Sequence, residues 1–365
     1  MYSNQFDFKS ILNRAEVIPA GTGLSIDQLL ATPDAIFGSL SDTQLEALAQ
    51  RAAFITQQRF GHVMRFFVPL YLSNECYNNC TYCGFSYDRD IDRYTLSDAE
   101  IIENVQILVN KGFQHILLLT GEAAKTVEMT YFERVLPLIR PHVAQLGMEV
   151  QPLDQPDYER LIELGLDAVT VYQETYHKDH YLMHHLSGKK RRFEYRLDTA
   201  DRAARAGVYR INIGALLGLS DWRFEAIALV DHLRYLYKTY WQTQFSISFP
   251  RITSIFDGTR QLQPVSDREL VQLVCAFRCM FPDLGITLST RESAKLRDGL
   301  LHLGITDMSA ESMTSPGAYS GIDAEPQFST TDHRSLADIQ AVLAKQGIDG
   351  VVKDWDRSYT QLAGS

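Results

Sequence analysis

Arg65-Phe66-Phe67-Val68-Pro69-Leu70-Tyr71-Leu72-Ser73-Asn74 is an aromatic and apolar run of strand type, and Cys76-Tyr77-Asn78-Asn79-Cys80-Thr81-Tyr82-Cys83 follows it directly. Runs of the same kind recur at 115–120, 148–153, 168–173, 209–216, 244–249, 285–290 and 305–309. Between them, helical spacing occupies 97–112, 131–146, 156–165, 193–207, 222–239, 266–281 and 292–304. Continuous apolar strands alternating with helices imply a parallel sheet covered on its outer side. Eight such units in about 245 residues have the size of a (β/α)8 barrel. A doubly wound open sheet is the competing architecture, and no Gly-x-Gly-x-x-Gly opens the first helix to support it. The expected class is therefore α/β, a TIM-type barrel, with its chemistry at the carboxyl ends of the strands.

Working outward, residues 42–60 read as a helix behind a Ser41/Asp42 cap, ahead of the first strand. The expected organisation is an N-terminal helical extension over 1–63, the barrel over 64–310 and a short C-terminal cap over 311–365. The cap contains a helix at 335–347 and then Val351-Val352-Lys353-Asp354-Trp355-Asp356, suited to closing one end of the barrel. Across the 365 residues, 45% are hydrophobic and 22% charged, enough for a large core and against disorder as the main state. The net charge of −10, with basic residues scattered outside Lys189-Lys190-Arg191-Arg192, argues against a nucleic-acid partner. Met1 to Asp7 lacks the layout of a signal peptide, and no apolar run approaches the length of a membrane span. A cytoplasmic location without a membrane partner is expected.

Of the five cysteines, three fall within eight residues, which in such a chain points to metal ligation and not to disulfides. Structural zinc normally takes four protein ligands. Three thiolates on a four-iron cluster leave one iron open for a substrate or cofactor. The bland alternative is zinc completed by a distant His or by Cys275 and Cys279. Those two cysteines, one turn apart in an apolar helix, read as core residues. His184-His185 read as surface or loop residues, and Lys189 to Arg192 as a solvated loop. Other polar groups end strands: Thr120-Gly121-Glu122, Tyr172-Gln173-Glu174-Thr175-Tyr176, Ser289-Thr290-Arg291-Glu292, Ser248 and Ser309. Glycine permits close backbone approach to a ligand, a carboxylate accepts from an ammonium, and an arginine fork grips a carboxylate. A salt bridge within Arg291-Glu292 is the competing reading of that arginine.

The C-x3-C-x-aromatic-C loop after the first barrel strand resembles the radical S-adenosylmethionine superfamily. The resemblance implies a [4Fe-4S] cluster on Cys76, Cys80 and Cys83, whose open iron chelates S-adenosyl-L-methionine, which is cleaved to a 5′-deoxyadenosyl radical. It further implies that the backbone at Tyr82 meets the adenine and that Gly121 and Glu122 stand where the family has Gly-Gly-Glu, with Thr120 departing from it. The YQET-Y run is similar to the aromatic amino-acid lyase branch. There Glu174 holds the cofactor together with an arginine of the next helix, matched here by Arg196 in competition with Arg191 and Arg192. In that branch Arg291 binds the substrate α-carboxylate, Ser309 adds a hydroxyl, and Ser248 is a weaker candidate.

Within the branch the resemblance, over roughly residues 40–330, is best to the tyrosine lyases of thiamine biosynthesis. It implies cleavage of the Cα–Cβ bond of L-tyrosine to dehydroglycine and p-cresol, handover to a thiazole synthase, and reduction by a flavodoxin or ferredoxin. The related tyrosine lyases of hydrogenase maturation carry a second cysteine-bound cluster near the C-terminus, and no cysteine follows Cys279 here. A tryptophan lyase or a deazaflavin-forming synthase is the alternative within the superfamily. Outside it stands a non-catalytic iron–sulfur or zinc protein.

Overall fold

Along the first barrel strand, Val63–Ser73, the side chains divide by parity. Phe66, Val68 and Leu70 are buried in the main core, and Phe67, Pro69 and Tyr71 line an interior cavity. The structure is a computed structural model, and it describes residues 1–19, 21, 23–32, 34–252 and 262–354.

Strands His115–Thr120, Gln145–Glu149, Ala168–Glu174, Arg210–Ala215, Gln244–Ser248, Gly285–Leu288 and Asp307–Ser309 follow in order around the sheet, every neighbour parallel. The last pairs back onto the first through Arg65↔Asp307, Phe66↔Met308 and Phe67↔Ser309. The eight strands thus close into a barrel, which removes the open-sheet alternative. Its outward residues, such as Ile116, Leu146, Ile211 and Ile247, are buried. The inward ones include Gln145, Gly147, Thr170, Asn212, Ser246 and Thr287, which line a cavity of about 360 Å³. Most barrels of this type fill the same space with bulky branched side chains. Small and polar inward residues are why this one has room for ligands.

Several boundaries differ from the sequence reading, such as the helix expected over 292–304, which spans Ala294–Leu300, and two of the differences bear on the site. The third strand begins at Gln145, three residues before the expected 148, because the preceding helix stops at Ile139 and a 3-10 turn, Arg140–His142, follows it. Gly147, between the expected helix and strand, sits inside the strand, where a Cβ would approach Leu117 Cδ1 to 3.2 Å. The helix expected over 193–207 is two, Phe193–Leu197 and Thr199–Ala206, separated at Asp198. The Asp198 carboxylate accepts from the Ser3 amide at 2.8 Å and the Ser3 hydroxyl at 2.6 Å, so it anchors the N-terminus.

Helices Phe8–Glu16, Ile26–Ala31 and Asp42–Phe60 precede the barrel, the last with a Ser41/Gln44 capping box. Tyr2 stacks on His232 with ring centroids 4.1 Å apart. After the eighth strand, Thr314, Pro326, Gln327 and Phe328 line the cavity. Gln327 accepts from the Gly84 amide at 2.9 Å and from the Tyr71 hydroxyl at 2.7 Å. Helix Leu336–Lys345 then leads to Asp349–Val351, which pairs with the start of the first strand through Val63↔Asp349. Trp355 and Asp356 lie outside the described residues. No helix among the described residues is long and apolar enough to cross a membrane.

Candidate active site

The cysteine loop leaves the first strand at the carboxyl end of the barrel and is held by a second, small sheet. Residues Asn79–Cys80 pair antiparallel with His185–Ser187, a segment that follows the fourth strand. The Cys80 amide donates to Ser86 Oγ at 2.9 Å, and the Thr81 amide to the His184 carbonyl at 3.1 Å. His185 Nδ1 lies 2.7 Å from the Tyr181 carbonyl, which can only accept, so Nδ1 carries the proton. Nε2 therefore accepts from the Tyr82 hydroxyl, also at 2.7 Å. His184 Nδ1 is 2.7 Å from Thr81 Oγ1. The surface reading of His184 and His185 is overturned: both are buried. Helix Lys178–His184 ends between them, so the second histidine belongs to a strand that grips the cysteine loop.

Cys76, Cys80 and Cys83 are free thiols. Burial pushes the Cys76 thiol up to about 11 and raises Cys80 and Cys83 as well. They stay protonated until a cation arrives to hold them as thiolates.

Behind the loop, five residues from separate segments form a closed circuit. Arg196 donates to Glu122 at 2.7 Å and to Glu174 at 3.3 Å. Lys190 Nζ donates to Glu174 at 2.7 Å, and its amide to Asn78 Oδ1 at 2.9 Å. Asn78 Nδ2 returns to Glu122 at 2.8 Å. Burial alone would raise the Glu174 carboxyl, but Lys190 and Arg196 outweigh it and hold the group below its ordinary range. Glu174 has a φ of 71°, a left-handed conformation for a residue with a side chain, at the bulge where the fourth strand ends. Gly121 sits so close to the loop that a Cβ would fall 2.1 Å from the Glu75 carbonyl oxygen.

Of the three arginines in competition, Arg196 is the one that faces these carboxylates. Arg191 donates to the carbonyls of Leu182 and His185, and Arg192 lies over the Tyr195 ring. The solvated-loop reading of Lys189 to Arg192 holds for three of its residues and fails for Lys190, which Gly188, at φ 89°, turns inward.

Across the cavity, the Arg291 guanidinium lies 3.3 Å from the Phe328 ring centroid, and among the described residues no carboxylate pairs with it. Glu292, its sequence neighbour, pairs with Arg251 instead, which removes the salt bridge within Arg291-Glu292. Burial lowers the Arg291 pKa, the mark of a charge short of a partner. Ser309 Oγ accepts from the Thr290 amide at 3.2 Å and Ser248 Oγ from Asn212 Nδ2 at 2.9 Å, both on the cavity wall. Glu149, at the end of the third strand, also lines the cavity, and burial together with Glu174 pushes its carboxyl up to about 7.

Residues 70–229 match the Radical SAM superfamily, and residues 248–349 the Biotin and Thiamin Synthesis associated domain. The 2-iminoacetate synthase of Escherichia coli K12 is 47% identical over 324 residues, 88% of this chain and 86% of that protein. The Salmonella typhimurium LT2 2-iminoacetate synthase is 46% identical, covering 91% of this chain and 88% of its own. The chain belongs to the 2-iminoacetate synthase family of radical SAM enzymes. The fold of this 2-iminoacetate synthase family member also matches the FeFe-hydrogenase maturase HydG of Carboxydothermus hydrogenoformans, with a TM-score of 0.83 and 33% identity over 94% of this chain and 79% of that one.

Radical SAM membership implies a [4Fe-4S] cluster and S-adenosylmethionine, and the donor set fits them. Three free thiols on one loop supply soft ligands with one cluster position left open. Cys275 belongs to the main core, its Sγ 3.7 Å from the Leu303 carbonyl, in a cluster separate from that of Cys76.

Sequence reasoning in this 2-iminoacetate synthase family member missed Lys190, Asn78 and Glu149. A lysine inside a basic run and an asparagine between two cysteines carry no pattern of their own. Glu149 was findable from the third strand's register, had Gly147 been read as a strand glycine.

Proposed function

We propose that this chain cleaves the Cα–Cβ bond of L-tyrosine to 2-iminoacetate and p-cresol and so supplies the thiazole moiety of thiamine. The observation that carries the reading is one cavity lined both by Cys83 of the three-cysteine loop and by the half-buried guanidinium of Arg291, which among the described residues has no carboxylate partner. When bound, a [4Fe-4S] cluster and S-adenosylmethionine supply a radical able to remove a hydrogen atom from the substrate. The chain's own residues do the rest. Cys76, Cys80 and Cys83 hold the cluster. Glu122 and Glu174 offer carboxylates to the cofactor's ammonium and hydroxyls, with Arg196 fixing both carboxylates in place. Gly121 and the backbone at Tyr82 allow the cofactor to approach closely. Arg291 takes the tyrosine α-carboxylate in a two-point grip, and the Ser309 and Ser248 hydroxyls complete that end.

Gln327 and Phe328 fold over the mouth and help exclude water, which would hydrolyse the imine. That lability favours direct handover to a thiazole synthase, and the reducing electron comes from a flavodoxin or ferredoxin.

After anaerobic reconstitution, the protein is expected to hold about four irons and four sulfides, with a spectrum that shifts on adding S-adenosylmethionine. Arg291→Ala should keep the iron and lose tyrosine binding by at least about tenfold, the usual minimum for breaking a charged hydrogen-bonded pair. One zinc in place of iron, or unchanged tyrosine affinity in Arg291→Ala, contradicts the reading.

A further inference from the structure

We propose that Lys190 is a positioning residue of the cluster site: its enclosed ammonium fixes Glu174 and raises the electron affinity of the cluster held by Cys76, Cys80 and Cys83. The inference rests on the reading above that these cysteines carry a [4Fe-4S] cluster.

Three features of the chain lead to it. The Lys190 side chain is only 13% exposed and its ammonium is 2.7 Å from Glu174, whose backbone is strained and which Arg196 reaches at a longer 3.3 Å. The lysine is tied to the cysteine loop through its own backbone, because its amide donates to Asn78, between Cys76 and Cys80. Its Nζ lies 5.8 Å from the ring centroid of Tyr82, between Cys80 and Cys83, and lines the same cavity as Cys83.

The charges then decide what the lysine does. The circuit contains two carboxylates, Glu122 and Glu174, and two cations, Arg196 and Lys190. It is balanced as it stands, before three thiolates are added. Removing Lys190 leaves an excess negative charge beside a cluster that must accept an electron from an external one-electron reductant. In a site shielded from water, a fixed positive charge favours the reduced form.

The test is a redox titration of the reconstituted protein, without S-adenosylmethionine or tyrosine, for wild type, Lys190→Met and Lys190→Arg. Lys190→Met should lower the ratio of reduced to oxidised cluster at a fixed potential by on the order of tenfold, a midpoint about 59 mV more negative. Lys190→Arg should stay within about threefold of wild type, since it keeps the charge. A Lys190→Met midpoint equal to wild type overturns the proposal, as does an equal shift in both variants. Iron lost from Lys190→Met but kept by Lys190→Arg upholds the need for charge, and iron lost from both overturns it. Should wild type itself take up no iron, the reading of the cysteines fails instead.

Discussion

Glu149 shows how the barrel sets a single residue's chemistry. It ends the third strand facing a cavity with Glu174 on the same wall, and burial pushes its carboxyl from 4.5 to about 7. A carboxyl raised on folding stabilises the folded state fully below its unfolded pKa, and the benefit is lost as pH rises through about 4.5 to about 7. The difference amounts to about 3 kcal/mol in the ligand-free protein. Glu149→Gln should therefore unfold at a higher temperature than wild type at pH 8 and show a smaller advantage at pH 5, by thermal melts of the apo protein. A pH-independent difference contradicts this. At this scale the sequence was uneven. Cys76, Cys80, Cys83, Glu174 and Arg291 were legible because each follows a strand that could be located. Lys190 and His185 were not, because their inward direction depends on a turn at Gly188 and a pairing between segments a hundred residues apart.

Among the elements, the pairing of Asn79–Cys80 with His185–Ser187 does most to shape the site. It links the loop after the first strand to the segment after the fourth, so that the thiols and Glu174 share one rigid support. Gly188 makes the approach possible: it has a φ of 89°, and a Cβ there would fall 2.2 Å from Asn78 Oδ1 and 2.7 Å from the Tyr77 carbonyl oxygen. Gly188→Ala should separate the two segments and reduce iron retained per chain after reconstitution, while circular dichroism stays native. Gly207→Ala is the control. It imposes the same backbone strain at φ 94° with nothing within 4 Å, so it should cost about 1–2 kcal/mol of stability and leave iron content unchanged. Equal iron in wild type and Gly188→Ala contradicts the account. The long helices were legible because caps such as Ser97, Ser266 and Asp221 mark them. The two-residue and three-residue strands of the ribbon are too short for periodicity to register.

At the scale of the whole molecule, alternation of strand and helix was enough to specify a closed barrel, because eight parallel strands with one apolar face each must bury it under helices. What the alternation did not reveal is that small and polar residues such as Gly147, Thr170, Asn212 and Ser246 interrupt the aromatic and aliphatic inner face, leaving a cavity that runs from Cys83 and Arg291 to Gln145 and Arg210. The part of the chain after the eighth strand was also only partly legible. Its cavity-lining residues, Thr314 and Gln327 among them, lack regular spacing; Gln327 is fixed by bonds to the cysteine loop and the first strand, and Thr314 by bonds to Gln327 and Phe328.

The central claim is that this cavity brings a cluster-bound cofactor to bear on an amino acid held by Arg291. Its most direct test is product analysis after anaerobic incubation of the reconstituted enzyme with S-adenosylmethionine, dithionite and either tyrosine or tryptophan. The account predicts p-cresol and 5′-deoxyadenosine in comparable amounts with tyrosine and no side-chain cleavage with tryptophan. A cluster-loaded enzyme that releases neither p-cresol nor 5′-deoxyadenosine from tyrosine would contradict it.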